Sequence, residues 1–277
     1  MARSKILKNA FAGKWALVTG ASAGIGEALA IELAAAGANL ILTARRADRL
    51  ETLARRLGSE HGIQTQVIPA DLANPSAPQQ LFDATEGQGT PVDILINNAG
   101  FGYYGEFLTG DPAWQRAMVD VNCRAVVDLT HLFLPRMIDR QRGDIMIVAS
   151  TAAYQPVAYM ATYAATKAFD RMLAEALAEE TARFGIRVSA LCPGPTESEF
   201  GQVAGSPSSA HGGRGFQTAQ EVARKGLEGL VSGKHWVIPS VANGATVFAQ
   251  RIFPRRFITG AVERAFRPDS VKQALKK

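Results

Sequence analysis

The sequence predicts an α/β protein in which about seven parallel strands form one doubly wound sheet with helices on both faces. Short apolar runs alternate with longer segments in which apolar residues recur at helical spacing. The runs are almost continuously apolar, as expected for strands that are covered on both faces. Repeated strand–helix–strand units imply parallel pairing through right-handed crossovers.

The predicted elements follow one another along most of the chain. No Pro- or Ser-rich linker interrupts residues 15–240, which predicts a single domain over residues 1–240 and a basic, partly helical extension over residues 241–277. A Gly-, Ser- and Pro-rich stretch at residues 195–218 predicts a mobile loop. Strands are predicted at residues 15–19, 39–43, 65–69, 92–97, 144–149, 186–191 and 235–239, and helices at 26–36, 49–57, 111–138, 161–184 and 218–232.

Composition restricts the class of protein. Of the 277 residues, 47% are hydrophobic and 20% are charged, which suits a globular protein with a sizeable core. An apolar run of about 18 residues is missing, so no transmembrane helix is predicted. The basic N-terminus is not followed by an apolar stretch typical of a secretory signal. With only Cys123 and Cys192, we expect reduced thiols in a cytoplasmic protein.

The net charge of +5 is concentrated at the two ends. Residues 1–14 carry +4 and residues 251–277 carry +6, so the body between them carries −5. A nucleic-acid-binding body normally shows the opposite pattern, and no nucleic-acid partner is predicted.

A glycine-rich turn joins the first predicted strand to the first helix. Gly20 permits the turn, Gly24 admits phosphates close to the backbone, and Gly26 lets helix and strand pack tightly. The helix N-terminus offers free N–H groups and a positive dipole to a pyrophosphate. A dinucleotide site is therefore predicted, with a plain tight turn as the alternative. The loop residues assigned to it are Gly20, Ser22, Ala23, Gly24, Ile25 and Gly26.

The end of the second predicted strand indicates which dinucleotide binds. NAD-binding chains place Asp or Glu about 20 residues past the glycines to bind the ribose hydroxyls. Here Ala44 is followed by Arg45, whose guanidinium can bind a 2′-phosphate. NADP (as NADPH in reduction) is therefore predicted over NAD. Alternatively, Arg45 and Arg46 are solvated charges at a helix start.

Three residues form a candidate catalytic group. Tyr163 and Lys167 are four apart in a helical segment and so share one face. A neighbouring ammonium favours the phenolate and is expected to lower the pKa of Tyr163, which then exchanges a proton. Ser150 ends a predicted strand and is expected to face the same crevice.

With these residues together, the sequence resembles the short-chain dehydrogenase/reductase family, and the resemblance covers about residues 13–240. The matching motifs are Thr19-Gly-x-x-x-Gly-Ile-Gly26, Asn97-Asn-Ala-Gly100, Asn122, Ser150, Tyr163-x-x-x-Lys167 and Pro193-Gly194. The resemblance implies a Rossmann-type fold. It also implies hydride transfer between NADP(H) and a carbonyl or secondary alcohol.

The resemblance also implies a role for each matching residue. Ser150 would bind the substrate oxygen and Tyr163 would exchange the proton. Lys167 would bind the nicotinamide ribose and Asn122 would hold a relay water. Asp71 and Leu72 would flank the adenine, Asn98 the adenosine ribose, and Pro193, Gly194 and Thr196 the nicotinamide. No catalytic metal is implied, because the four histidines lack ligand spacing.

Loops after the strands are expected to supply the substrate residues. Most candidates are aromatic or aliphatic, which favours a small apolar ketone or secondary alcohol, and residues 195–218 would form a lid. Alternatively, these side chains only cap the core. The candidates are Phe101, Tyr103, Tyr104, Tyr154, Gln155, Val157 and Phe200.

The C-terminal extension combines apolar residues at helical spacing with arginines. Pro254 would interrupt one helix or start a second. We expect the apolar stripe to pack on its own domain or on a partner subunit of a homodimer or homotetramer. Peripheral contact with anionic lipid is the alternative, which would suit a membrane-surface reductase of lipid-like substrates.

For the function of the whole chain, a further alternative is an NADP-binding scaffold or sensor without turnover.

Overall fold

The computed structural model describes residues 2–206 and 216–274, and its centre is the predicted doubly wound sheet. Seven strands pair in parallel in the order β3-β2-β1-β4-β5-β6-β7. The strands are β1 (Trp15–Thr19), β2 (Asn39–Thr43), β3 (Thr65–Val67), β4 (Val92–Asn97), β5 (Gly143–Val148), β6 (Ile186–Leu191) and β7 (Trp236–Val237).

Helices cover both faces of this sheet, because successive strand residues are apolar and point to opposite sides. In β1, Ala16 and Val18 join one buried cluster, whereas Leu17 joins the other. The helices are α1 (Ala2–Phe11), α2 (Gly24–Ala35), α3 (Ala47–His61), α4 (Ala77–Asp83), α5 (Pro112–Val119), α6 (Ala125–Asp139), α7 (Ala161–Thr181), α8 (Phe200–Val203), α9 (Ala219–Val231), α10 (Val241–Ala249), α11 (Arg255–Phe266) and α12 (Asp269–Ala274).

The two edge strands are shorter than predicted. Both β3 and β7 end before a proline, Pro69 and Pro239, which has no N–H for the ladder. Apolar character alone extends both strands to these prolines, because hydropathy does not reflect the missing N–H.

The predicted helix at 111–138 is interrupted, so the expectation of one regular helix was wrong. Between α5 and α6 lies one π-helical turn, Asp120–Arg124. π turns are rare and occur often at functional sites. This one contains Asn122, which is fully buried.

The N-terminal helix α1 was not predicted. Leu7 and Phe11 on one of its faces are buried in the core. Their i, i+4 spacing places both side chains on one face of the helix.

The C-terminal extension is helical, as predicted, and Pro254 lies immediately before α11. Its apolar stripe packs on its own domain only in part: Phe248, Ile252 and Phe257 are 64%, 71% and 64% exposed, whereas Ile258 and Val262 are half-buried. None of the helices that the structure describes is long and apolar enough to cross a bilayer.

Candidate active site

The glycine turn between β1 and α2 has the shape of a phosphate cradle. Gly20 and Gly24 adopt left-handed φ angles of 66° and 60°. A Cβ on Gly26 would lie 2.3 Å from the carbonyl oxygen of Gly20, so only glycine fits there. Helix α2 begins at Gly24 and points its free N–H groups out of this turn. The backbone therefore fits a pyrophosphate group.

Thr19 and Asn98 hold the cradle against β4. The Thr19 hydroxyl donates to the Ile96 carbonyl at 3.1 Å and accepts from the backbone N–H groups of Asn98 and Ala99, both at 2.9 Å. The Asn98 amide donates to the Thr19 carbonyl at 2.8 Å and to the Gly20 carbonyl at 3.3 Å. Asn98, which the resemblance places beside the adenosine ribose, thus shapes the phosphate turn.

Arginines at the end of β2 flank the cradle, but they are not equivalent. Arg46 donates from Nε and one terminal nitrogen to the Ser22 hydroxyl at 3.2 and 3.0 Å. Arg46 and Arg49 also bind the two carboxylate oxygens of Glu199 at 2.8 and 2.7 Å. Arg45 is exposed and forms no hydrogen bond with the described residues. Sequence reasoning selected Arg45, whereas Arg46 is the guanidinium that contacts the phosphate turn.

Ser150, Tyr163 and Lys167 come together at the carboxyl ends of the central strands. Ser150 lies two residues after the end of β5, and its hydroxyl lies close enough to the Tyr163 phenol to lower the pKa of that phenol. Its hydroxyl also accepts from the Ala152 N–H at 3.1 Å, which fixes its orientation. Tyr163 and Lys167 lie one turn apart on α7, as predicted from their spacing.

Burial raises the pKa of Tyr163 above its ordinary value, because the partly buried phenol loses solvation of its charged form. Lys167 and the hydrogen bond from Ser150 act in the opposite direction, and Asp170 reinforces the rise. The expected lowering of the pKa by Lys167 is therefore present, but desolvation outweighs it.

Asn122 connects the π turn to this group. Its amide donates to the Phe101 carbonyl and to the Thr166 hydroxyl, both at 3.0 Å, and its oxygen accepts from the Phe101 N–H at 3.1 Å. A Cβ on Gly100 would lie 3.0 Å from the Asn122 oxygen and 3.4 Å from Lys167 Nζ. Asn122 thus packs the β4 loop against α7 beside the ammonium.

The remaining predicted cofactor residues lie along the same edge of the sheet. Asp71 is exposed and caps a turn by accepting from the Ala73 N–H at 3.0 Å, while Leu72 is buried. Pro193 accepts from the Thr151 N–H at 2.9 Å. Thr196 donates to the Gly194 carbonyl at 2.9 Å and bridges to Gln217.

Aromatic side chains close the crevice on the substrate side. Phe200, on α8 of the predicted lid, places its ring 5.0 Å from that of Tyr163 and packs over Gly102. A small neighbouring cavity is lined by Tyr103, Phe107, Tyr159 and Thr162, among others. The lid prediction extends over residues 207–215, which lie outside the described residues.

Tyr154 does not face this cavity. Its ring packs on the buried core and under the Arg171 guanidinium, 4.4 Å from the ring centre, and its hydroxyl donates to Cys192. The alternative that candidate substrate residues merely cap the core holds for Tyr154.

Helix α11 lies against the loops after β4 and β5, in which the substrate residues are predicted. The Tyr104 hydroxyl donates to the Phe266 carbonyl at 2.8 Å, and the Tyr159 hydroxyl donates to Glu263 at 2.8 Å. Tyr159 has a left-handed φ of 65°, which is strained for a bulky residue. Sequence reasoning missed Tyr159, because backbone strain leaves no pattern in a single sequence.

The geometry agrees with sequence and structure comparisons. Residues 14–207 match the model of the short chain dehydrogenase family. The chain belongs to this family of oxidoreductases.

Two curated relatives are similar to this short-chain dehydrogenase over part of their length. Very-long-chain 3-oxoacyl-CoA reductase-B of Danio rerio is 32% identical over 197 residues, which cover 70% of this chain and 63% of the relative. Hydroxysteroid dehydrogenase-like protein 1 of Gallus gallus is 36% identical over 186 residues, covering 65% and 55%. The match thus spans less than two thirds of either relative.

Solved structures cover more of the chain. A short-chain dehydrogenase from Sphingobium yanoikuyae in complex with NADPH has a TM-score of 0.78 and 29% identity over 86% of this chain and 93% of that chain. The bulky-bulky ketone specific alcohol dehydrogenase of Comamonas testosteroni has a TM-score of 0.74 and 28% identity over 86% and 92%.

Proposed function

We propose that the protein is an NADP(H)-dependent oxidoreductase that interconverts an apolar ketone and its secondary alcohol. The observation that carries the proposal is that Ser150 and Tyr163 lie side by side, with Lys167 one helical turn away, at the edge of the sheet that also holds the phosphate cradle. Arg46 on Ser22 supports a cofactor with a 2′-phosphate.

NADP(H), when bound, supplies or accepts the hydride. The Gly20–Gly26 turn would hold its pyrophosphate and Arg46 its 2′-phosphate, which the cradle geometry and the guanidinium position fit. Lys167 would bind the nicotinamide ribose. Pro193, Gly194 and Thr196 would line the nicotinamide.

The chain's own groups would handle the substrate oxygen and its proton. Ser150 would donate a hydrogen bond to the carbonyl oxygen, and Tyr163 would give its phenolic proton to that oxygen during reduction. Because the pKa of Tyr163 is raised above its ordinary value, the phenol is protonated at neutral pH and has a proton to donate during reduction. Phe200 over Tyr163 would exclude water from this exchange.

The substrate class follows from the walls of the crevice. Phe200 presents aromatic surface beside Tyr163, and Tyr103, Phe107 and Tyr159 line a small cavity next to Thr162. An apolar carbonyl compound would fit such aromatic walls. Two similar proteins support bulky carbonyl substrates: one is a very-long-chain 3-oxoacyl-CoA reductase, and the other is a bulky-bulky ketone specific alcohol dehydrogenase.

NADPH oxidation with steroid, 3-oxoacyl and aromatic ketones tests the proposal. We expect turnover with at least one class, and loss of turnover in Tyr163→Phe with NADPH binding and folding preserved. Tyr104→Phe is the matched control, because it removes a phenol that lies against α11 instead of Ser150. NADPH binding without turnover on the whole panel would refute the enzyme and favour the scaffold alternative.

A specific observation favours a second location for this activity beside the proposed cytoplasmic one. Exposed Phe253 and Phe257 flank the exposed cations Arg255 and Arg256 at the start of α11, the helix whose Phe266 carbonyl accepts from Tyr104. Apolar groups interleaved with arginines suit the surface of an anionic bilayer. Such a contact would bring the crevice near lipid-like substrates.

Flotation of the full chain with vesicles tests this membrane contact. We expect binding to phosphatidylserine-containing vesicles but not to pure phosphatidylcholine, and its loss in Arg255→Glu/Arg256→Glu. Arg55→Glu, an exposed arginine on α3, is the control. The absence of flotation would leave the cytoplasmic enzyme without a membrane contact, and equal flotation with both vesicle types would refute the role of the arginines in it.

We also propose that the chain forms a homodimer or homotetramer. Val119, Val127, Phe169 and Met172 on the packed helices α5, α6 and α7 expose apolar side chains, at 44%, 40%, 40% and 64%. Light scattering coupled to gel filtration should give a multiple of the 29.6 kDa chain mass. A monomer at micromolar concentration would contradict this proposal.

A further inference from the structure

Lys167 has a buried acidic partner that the family motifs do not include. Its Nζ donates to Asp170 Oδ2 at 2.9 Å and to the Val148 carbonyl at 2.7 Å. Asp170 is three residues further along α7 and is 1% exposed, while Lys167 is 5% exposed. An ammonium has three N–H bonds, so these two partners leave one for the Tyr163 and Gly100 side.

Few other charged groups lie near Lys167 and Asp170 in the described part of the chain. The titratable groups that face Lys167 and Asp170 are Tyr163, on the same helix, Cys123, on the π turn, and Cys192, after β6. Burial raises the pKa of both thiols to about 12, so they are neutral in the physiological range. Asp170 is therefore the group that supplies negative charge beside Lys167.

A buried ammonium without a carboxylate would lose its proton readily, since burial disfavours the charged form. Here burial alone would lower the pKa of Lys167, but Asp170 and the Tyr163 phenol hold it above its ordinary value. Burial raises the pKa of Asp170 itself to about 6, so its carboxylate is ionised at neutral pH and above.

We propose that Asp170 is a positioning residue, whose carboxylate keeps Lys167 charged and fixed against Val148 and thereby controls how readily Tyr163 releases its proton. Two effects follow from one charge. Asp170 keeps the ammonium in place, and it also counteracts part of the ammonium's attraction for the phenolate. The part of the inference that concerns Tyr163 in turnover rests on the proposed function.

The test combines a direct titration with a pH–rate profile. The Nζ signal of Lys167 is followed by ¹⁵N-lysine NMR in the cofactor-free protein, assigned with Lys167→Met. In the wild type we expect Lys167 to stay charged to above pH 9. In Asp170→Asn we expect its titration to fall by at least about one pH unit, because a charge within hydrogen-bonding distance is removed.

The same variant should change the pH–rate profile. Alcohol oxidation requires the deprotonated Tyr163, and removal of a negative charge makes every deprotonation at the site easier. The rising limb of kcat/KM for oxidation should therefore move to lower pH in Asp170→Asn, by about one unit or less. Asp170→Glu should restore the wild-type titration of Lys167 in part. Asp128→Asn, which removes a surface carboxylate paired with Arg124, should change neither readout.

The outcomes separate the two claims. An Asp170→Asn protein that is folded by circular dichroism, with unchanged Lys167 titration and an unchanged rising limb, would show that Asp170 is only structural. If that variant does not fold, the wild-type titration decides, since loss of the Lys167 proton below pH 8 would overturn the proposal. Absence of turnover in the wild type would refute the proposed function but leave the NMR titration as a test of Asp170.

Discussion

Replacement of Arg46 by alanine tests which arginine selects the cofactor. Arg46 is the guanidinium that contacts Ser22 in the phosphate cradle, whereas Arg45 is exposed beside it. A hydrogen bond to a charged group contributes about 1.5–3 kcal/mol. The Arg46 side chain is 41% exposed and solvent screens its charge, so the lower end of that range applies. About 1.5 kcal/mol corresponds to roughly a tenfold change in affinity.

We therefore expect Arg46→Ala to weaken NADPH binding about tenfold and NADH binding by less than about twofold. Quenching of tryptophan fluorescence by each dinucleotide measures both dissociation constants. Arg45→Ala is the matched control and should change neither by much. If Arg45→Ala weakens NADPH binding while Arg46→Ala does not, the contact with Ser22 is not a guide to the 2′-phosphate site.

Three further perturbations follow from neighbouring contacts. Glu199→Gln frees Arg46 and Arg49 from an exposed ion pair and should tighten NADPH binding by no more than about fivefold. Because salt screens exposed charges, this gain in affinity should disappear in roughly 0.5 M salt. Phe200→Ala uncovers Tyr163 and should raise KM for bulky ketones about tenfold, whereas Val203→Ala on the same helix should leave KM unchanged. If Phe200→Ala has the wild-type KM, Phe200 does not line the crevice. Thr19→Val leaves the Asn98 and Ala99 N–H groups unpaired and should lower the free energy of unfolding by about 2–4 kcal/mol in urea titrations. Thr52 is exposed, so Thr52→Val should change the free energy of unfolding little. A Thr19→Val protein as stable as the wild type would contradict the role of this hydroxyl.

The periodicity of the chain determined the sheet and most of its helices, because buried parallel strands and amphipathic helices carry their own patterns. Periodicity did not predict the places where the backbone departs from regular helix or loop geometry. The π turn at Asn122 and the strained Tyr159 depend on how neighbouring elements pack, and a single sequence does not encode that packing as a repeat.

The candidate site shows the same division. The four-residue spacing of Tyr163 and Lys167 is enough to place them on one helical face, because helix geometry is local. Sequence reasoning selected Arg45, whereas the turn into α3 directs the adjacent Arg46 at Ser22. The residue types are the same, so only the path of the backbone distinguishes them.

The sequence by itself determined the fold class, the phosphate turn and the Tyr–Lys pair, because each depends on residue types at fixed local spacing. The tertiary structure alone decided that Asp170 lies against Lys167 beside Val148, that Phe200 covers Tyr163 and that α11 closes on the substrate loops. These contacts join segments whose separation along the chain carries no periodic signal, and only the packing of the sheet and helices brings them together.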